Sequence, residues 1–159
     1  MSRMIMSGVT PCLWFKDEAE EAARFYVSLR PNSRMEHIQK SPTDTPGCKA
    51  GAVLVVYFTI DGTPFMALNG GMAGQYTHAV SFSILCADQA ELDRLWTALL
   101  EGGAADQCGW LRDRYGVSWQ IVPAILPKLL AAPDEAKSQR VMQAMMQMVK
   151  LDIATLENA

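Results

Sequence analysis

The sequence has no basic block. Its 14 Lys and Arg are outnumbered by 17 Asp and Glu, and both signs are scattered along the chain, giving a net charge of -3. Neutralising a nucleic-acid backbone takes a cluster of cations, so no nucleic acid partner is expected. No apolar run reaches membrane-spanning length, and Met1 to Met6 is too short for a signal-peptide core. The expectation is a soluble, cytoplasmic protein with no membrane partner. Cysteine is sparse: Cys12, Cys48, Cys86 and Cys108 form no CxxC pair and have no histidine at zinc-ligand spacing, so they read as reduced, packed thiols. Histidine is scarcer still, with His37 among charged neighbours on a polar stretch and His78 at the start of an apolar one.

What is present is a chain of 159 residues, half of them hydrophobic, enough for one compact domain. Val9 to Phe15 reads as a strand. Asp17 and Glu20 have capping-box spacing, and Ala19, Ala22, Ala23, Tyr26 and Val27 follow at helical period up to Pro31, predicting a helix from Asp17 to Arg30. A strand is expected over Arg34 to Lys40. Ser41 to Gly51, rich in Pro, Gly and Thr, reads as a mobile surface loop and a candidate lid. Ala52 to Ile60 and Thr63 to Asn69 are β-rich runs joined by Asp61-Gly62, a pair that tolerates the positive φ of a tight hairpin.

The order then repeats. His78 to Cys86 reads as a strand, and Asp88 with Glu91 repeats the capping spacing before a helix carrying Leu92, Leu95, Trp96 and Leu99. Gly102-Gly103 stops it. Ala105 to Cys108, Trp110 to Arg114 and Val117 to Val122 supply three short strands, the last two turning at Tyr115-Gly116. The fold class is therefore α+β, two βαβββ modules (5–71 and 76–123) sharing a cupped mixed sheet, followed by C-terminal helices over 124–159. In that extension one helix begins near Pro133-Asp134 with Met142, Met145, Met146 and Val149 as a stripe for core or subunit packing, and a short last helix starts at Asp152.

Two βαβββ units in a chain of this size resemble the vicinal oxygen chelate superfamily of glyoxalases, bleomycin resistance proteins and extradiol dioxygenases. The runs TPCLWFKDEAEEAARFY, PNSR, DGTPFMALNGG, QCGWLRDRYGVSWQIVP and QRVMQAMMQM resemble more specifically the PhnB-like family, many of whose members carry the label 3-demethylubiquinone-9 3-methyltransferase. The resemblance implies a glyoxalase/bleomycin resistance/dioxygenase-like fold, a homodimer and a small-molecule ligand. A methyltransferase of the usual kind needs a glycine-rich turn opening a helix. Here Gly70-Gly71 lies between two strands and Gly102-Gly103 ends a helix.

Metal-dependent members of the superfamily hold their ion from the first and last strands of each module. The resemblance places Pro11 and the Ala67 to Asn69 run at those positions in the first module, and His78 and Gln120 in the second. One imidazole and one amide fall short of the three donors a transition ion takes, so no metal and no other cofactor is expected.

The ligand-facing set follows from alternation along strands: Ser118, Gln120 and Val122 on the cup side with Trp119 and Ile121 beneath the helices, and His78, Val80 and Phe82 together across from them. With Phe65, Asn69 and Trp110 these make a mostly apolar pocket with a few orienting polar groups. His78 is the candidate general base. Cys108, before Gly109-Trp110, is a candidate nucleophile whose packing role is the commoner one. Three readings compete: a PhnB-like protein that sequesters a small apolar or aromatic molecule without metal, a lyase, isomerase or dioxygenase-like enzyme that works through His78, and a structural or regulatory dimer that binds no ligand.

Overall fold

The computed structural model describes residues 8–159, so the Met1 to Met6 segment and residues 5–7 of the expected first module lie outside it. Two compact units divide the chain, one ending at Gln75 and the other running from Tyr76 to Ala159.

In the first unit the order is β1 (Cys12–Phe15), α1 (Ala19–Val27), β2 (Arg34–Lys40), β3 (Val53–Ile60) and β4 (Thr63–Asn69), with strands in the order β1-β4-β3-β2. Only β1 and β4 run parallel. The Asp61-Gly62 turn takes positive φ at both residues, +48° and +79°, as a tight hairpin between β3 and β4 requires. Ala19, Ala22, Ala23 and Tyr26 are fully buried on one face of α1. The small alanines bring that helix close to the sheet, and Tyr26 stacks on Phe58, which stacks in turn on Phe65. Each fully buried large apolar side chain contributes roughly 1.5–3 kcal/mol.

The start of α1 departs from expectation. Glu18 occupies the capping position, but its carboxylate accepts from Asp17 N–H and caps no first-turn donor, and Glu20 pairs with Arg24 one turn on. The first-turn donor is satisfied from the sheet instead: Ala19 N–H donates to Asn69 Oδ1 at 2.9 Å. The Ser41 to Gly51 segment, read as a surface loop and a candidate lid, is largely exposed and carries backbone hydrogen bonds of its own. Ser41 N–H donates to Ala52 O, Gly51 N–H to Ser41 O, and Thr45 and Cys48 exchange backbone hydrogen bonds around a buried Cys48. Gly47 lies against Gly70 and Gly71, so closely that a methyl group on Gly47 would stand 2.2 Å from Gly70 O. A lid movement would have to break all of these contacts.

The second unit repeats the pattern: β5 (Ser81–Cys86), α2 (Gln89–Leu100), β6 (Ala104–Ala105), β7 (Trp110–Arg112) and β8 (Ser118–Pro123), with strands in the order β5-β8-β7-β6. Again the outer strand β5 is parallel to β8 and the rest are antiparallel. Here the cap forms, with its return bond one residue early: Asp88 accepts from Glu91 N–H at 2.9 Å, and the Glu91 carboxylate accepts from Ala87 N–H at 2.9 Å. Leu92, Leu95, Trp96 and Leu99 of α2 are buried.

Three helices follow: α3 (Leu126–Leu130), α4 (Glu135–Met146) and α5 (Ile153–Glu157), the last two capped by Asp134 and Asp152. Val141 is the buried residue of α4, while Met142, Met146 and Val149 are more than a third exposed. Between α4 and α5 the chain crosses the start of α2. Gln89 donates to Leu151 O and accepts from Ile153 N–H, and Lys150 pairs with Asp93 at 2.8 Å. Hydrogen bonds from Lys150 and Gln89 hold the Asp93 carboxyl below the usual carboxylate range.

Candidate functional site

The candidate site grows from β7, whose three residues alternate. Leu111 is fully buried and pairs with Trp119, while Trp110 and Arg112 project to the opposite face, paired with Gln120 and Ser118. Before β7 the chain turns back on itself: Asp106 N–H donates to Trp110 O and Trp110 N–H to Gln107 O. Together with Tyr76, Thr77 and His78 from the segment preceding β5, residues Asp106, Gln107, Trp110 and Arg112 line an open cavity of about 590 Å³. That size suits a small molecule, since ligand sites span roughly 300–1,000 Å³.

The turn from β7 to β8 is fixed by a buried acid. Asp113 accepts from Tyr115 N–H at 2.8 Å and Val117 N–H at 3.1 Å through Oδ1, and from the Trp119 indole at 2.9 Å through Oδ2. This carboxylate ties the β7 to β8 turn to the Trp119 side chain of β8.

Electrostatically the cavity is rich in donors. Arg112 Nε donates to Asp106 Oδ2 at 3.3 Å, and its two Nη groups have no hydrogen-bond partner among the described residues. The same holds for the Trp110 indole N–H, the Gln107 side-chain amide and the His78 ring. Asp106, the one acid of the lining, is occupied by Arg112.

Of the residues expected to face a ligand, His78 and Trp110 line this cavity. Others are placed differently. His78 and Val80 belong to a turn ahead of β5, which begins at Ser81, so strand alternation does not govern them; Val80 is 69% exposed. Phe82 faces the helix side. Its pairing partner is Trp119, 5.4 Å away between ring centres, and it is Ser83 that pairs with Gln120.

Phe65 and Asn69 also lie on the helix side of their sheet and are buried, Phe65 against Phe58 and Asn69 between α1 and β3 through its bonds to Ala19 N–H and Val53 O. Ser118 and Gln120 share the Trp110 face outside the lining set; Gln120 Nε2 donates to Ser81 Oγ at 2.9 Å, and buried Ser118 Oγ has no partner among the described residues. Cys108 stands at φ +60° next to the lining residue Gln107, with its N–H bonded to Met148 O.

If Asn69 is a cap and not a ligand contact, Asn69→Ala should lower stability by about 1–2 kcal/mol by orphaning the α1 donor. It should leave small-molecule binding unchanged, which thermal denaturation and titration of one sample will read together.

The donor set does not fit the ions and cofactors that the fold suggests. Among the described residues no three His, Cys, Asp or Glu side chains converge where an ion could bind, and Gln120 is turned to Ser81. Nor is there a doubly wound parallel sheet: Gly70 and Gly71 follow β4, and Gly102, at φ +75°, closes α2.

A family model described as 3-demethylubiquinone-9 3-methyltransferase matches residues 7–122. A PhnB protein from Bacillus cereus, assigned to the same methyltransferases, is 33% identical over 72% of this chain and 97% of its own, with a TM-score of 0.65. The chain belongs to this PhnB-like family. Protein PA1353 from Pseudomonas aeruginosa shares the fold at 22% identity and a TM-score of 0.58, over 72% of this chain and 95% of its own. A glyoxalase/bleomycin resistance protein from Albidiferax ferrireducens aligns at 11% identity over 69% of this chain and 92% of its own, with a TM-score of 0.45. No curated protein matches the chain. The two βαβββ modules of this PhnB-like protein make its fold α+β, shared with the Bacillus cereus and Pseudomonas aeruginosa proteins. Its helices beyond residue 122 fall outside the family model.

The sequence reading missed Tyr76, Thr77, Asp106, Gln107 and Arg112 as lining residues. Arg112 carried a usable signal, because it lies two residues from Trp110 on one strand and so shares its face. The other four sit in irregular segments, where no period marks a direction.

Proposed function

We propose that this PhnB-like protein binds a small aromatic molecule bearing acceptor oxygens in the cavity at Trp110 and Arg112, without a metal ion, as a sequestering protein. The observation that carries this reading is the pairing of an indole face with unengaged donors in one concave site. An aromatic ring would lie on Trp110, and oxygens would take the Arg112 Nη groups and the Gln107 amide. The family's methyltransferase description finds no support in the described glycine pairs, since neither opens a helix.

The enzyme reading rests on a specific observation of its own: His78 lines the same cavity with its ring unengaged. A general base there would act on a ligand held by Trp110 and Arg112, and turnover would vanish in His78→Ala. The proposal also includes the homodimer that the family resemblance implies and a cytoplasmic location. Four free cysteines suit a reducing compartment, and no described helix is long and apolar enough to cross a membrane.

Native mass spectrometry with elemental analysis of purified protein separates the readings. A bound organic mass with substoichiometric divalent metal is expected. A stoichiometric transition ion that leaves with the loss of His78 would overturn the metal-free reading in favour of the enzyme.

A further inference from the structure

The wall of the cavity at Asp106 and Gln107 continues directly into Cys108 and Gly109, and that pair is bound to the C-terminal extension. Cys108 N–H donates to Met148 O at 2.9 Å and Gly109 N–H to Val149 O at 2.7 Å, while Gly109 O accepts from Ile121 N–H of β8. The turn is therefore hydrogen-bonded to β8 on one side and to the extension on the other.

Its backbone admits little else. Cys108 and Gly109 stand at φ +60° and +84°, and a methyl group on Gly109 would meet the Leu151 side chain at 2.9 Å and Ile121 O at 3.1 Å. Leu151 is fully buried. A non-glycine residue in the left-handed region, such as Cys108, persists only where its surroundings hold it.

The extension is in turn fastened to α2, chiefly through Gln89. Gln89 Nε2 donates to Leu151 O at 3.1 Å and to Asp93 Oδ1 at 2.9 Å, and its Oε1 accepts from Ile153 N–H at 2.8 Å. Lys150 adds its pair with Asp93. None of Gln89, Asp93, Lys150 or Leu151 lines the cavity.

We infer that the segment Met148 to Ile153, which lies beyond the residues that the family model matches, is a latch that sets the ligand-binding wall, with Gln89 and Gly109 as its positioning residues. In this deepening of the proposed function, the latch holds the Cys108-Gly109 turn, the turn fixes where Asp106 and Gln107 stand, and Asp106 anchors Arg112. Its ligand consequence rests on the cavity being the binding site.

The test is made on the full chain, with Gln89→Ala as the main variant because it leaves the turn's own sequence intact. In ligand-free protein, amide exchange at Cys108 and Gly109 should rise about tenfold and the Trp110 indole N–H resonance should move. With 1-naphthoate as the probe, the dissociation constant should rise about fivefold. Gln89→Glu keeps the acceptor for Ile153 but sets a carboxylate oxygen against Leu151 O and the Asp93 carboxylate, and should loosen the turn at least as much as Gln89→Ala.

Lys137→Ala serves as the control. It removes the ties of α4 to the chain end at Glu157 and Ala159 and should move neither readout. Gly109→Ala should give the same loosening as Gln89→Ala in larger measure. Unchanged exchange at Cys108 and Gly109 in Gln89→Ala, or a change matched by Lys137→Ala, overturns the latch. Wild-type protein that ignores 1-naphthoate counts against the cavity reading, and the exchange rates then decide the latch by themselves.

Discussion

Replacing Asp113 with alanine is expected to cost about 3 kcal/mol of stability or more, because it strands three donors at once. Tyr115 N–H, Val117 N–H and the Trp119 indole all end on this 2%-exposed carboxylate, and each buried donor left unpaired costs roughly 1–3 kcal/mol. For a chain of this length a loss of that size should lower the melting temperature by about 6–12 °C. Asp113→Asn is the sharper probe. Its carbonyl oxygen can still serve the two backbone donors, but its amide nitrogen would then meet the Trp119 N–H donor to donor, so about 2 kcal/mol should still be lost. Equal stability of wild type and Asp113→Ala in a denaturation experiment would show that the β7 to β8 turn holds without the acid.

The largest functional effect should come from Trp110→Ala. Trp110 is the larger aromatic surface of the cavity, beside Tyr76, and is only half-buried, so its removal costs the protein little and the ligand much. Removing an aromatic anchor typically costs a complex about 2 kcal/mol, which predicts roughly thirtyfold weaker binding of an aromatic acid such as 1-naphthoate. Trp110→Phe keeps a ring and loses the indole donor, and should lie between the two. Calorimetric titration reads the affinity and a thermal scan of the same samples reads the fold. Unchanged affinity in Trp110→Ala would remove the ring from the site.

Most of the architecture was legible in the sequence because its signals are local. The Asp61-Gly62 hairpin, the Asp88 and Glu91 cap and the alanine face of α1 each depend on residues within a few positions of one another. The Asp17 and Glu20 box shows the limit of such reasoning. The same spacing occurs there, but Asn69, from a strand fifty residues away in sequence, takes the donor and Glu20 turns to Arg24. A tertiary contact decided between two equally good local patterns.

The site was less legible because strand alternation is informative only when the two faces differ. In β4, Phe65 and Ala67 face the helix and Met66 and Leu68 the other side, and all four are apolar, so nothing in the sequence turned Phe65 and Asn69 inward. In β5 the signal was present: Phe82, Ile84 and Cys86 alternate with Ser81 and Ser83, and the apolar set is the one beneath the helix. His78 was counted with Phe82 as if the strand already ran through it, whereas residues 78–80 form a turn. The lining residues Asp106 and Gln107 were invisible for a different reason. Their placement depends on hydrogen bonds from Cys108 and Gly109 to a segment forty residues further on, and no spacing rule reports such a contact.

Amide chemical-shift mapping of the full chain with 1-naphthoate tests most directly whether the cavity at Trp110 and Arg112 is the place where a small molecule is held. Shifts should concentrate at residues 76–78 and 106–112, saturate at one ligand per chain, and appear with chelator present. Shifts gathered instead on the exposed methionine face of α4, or in the first unit, would contradict that placement.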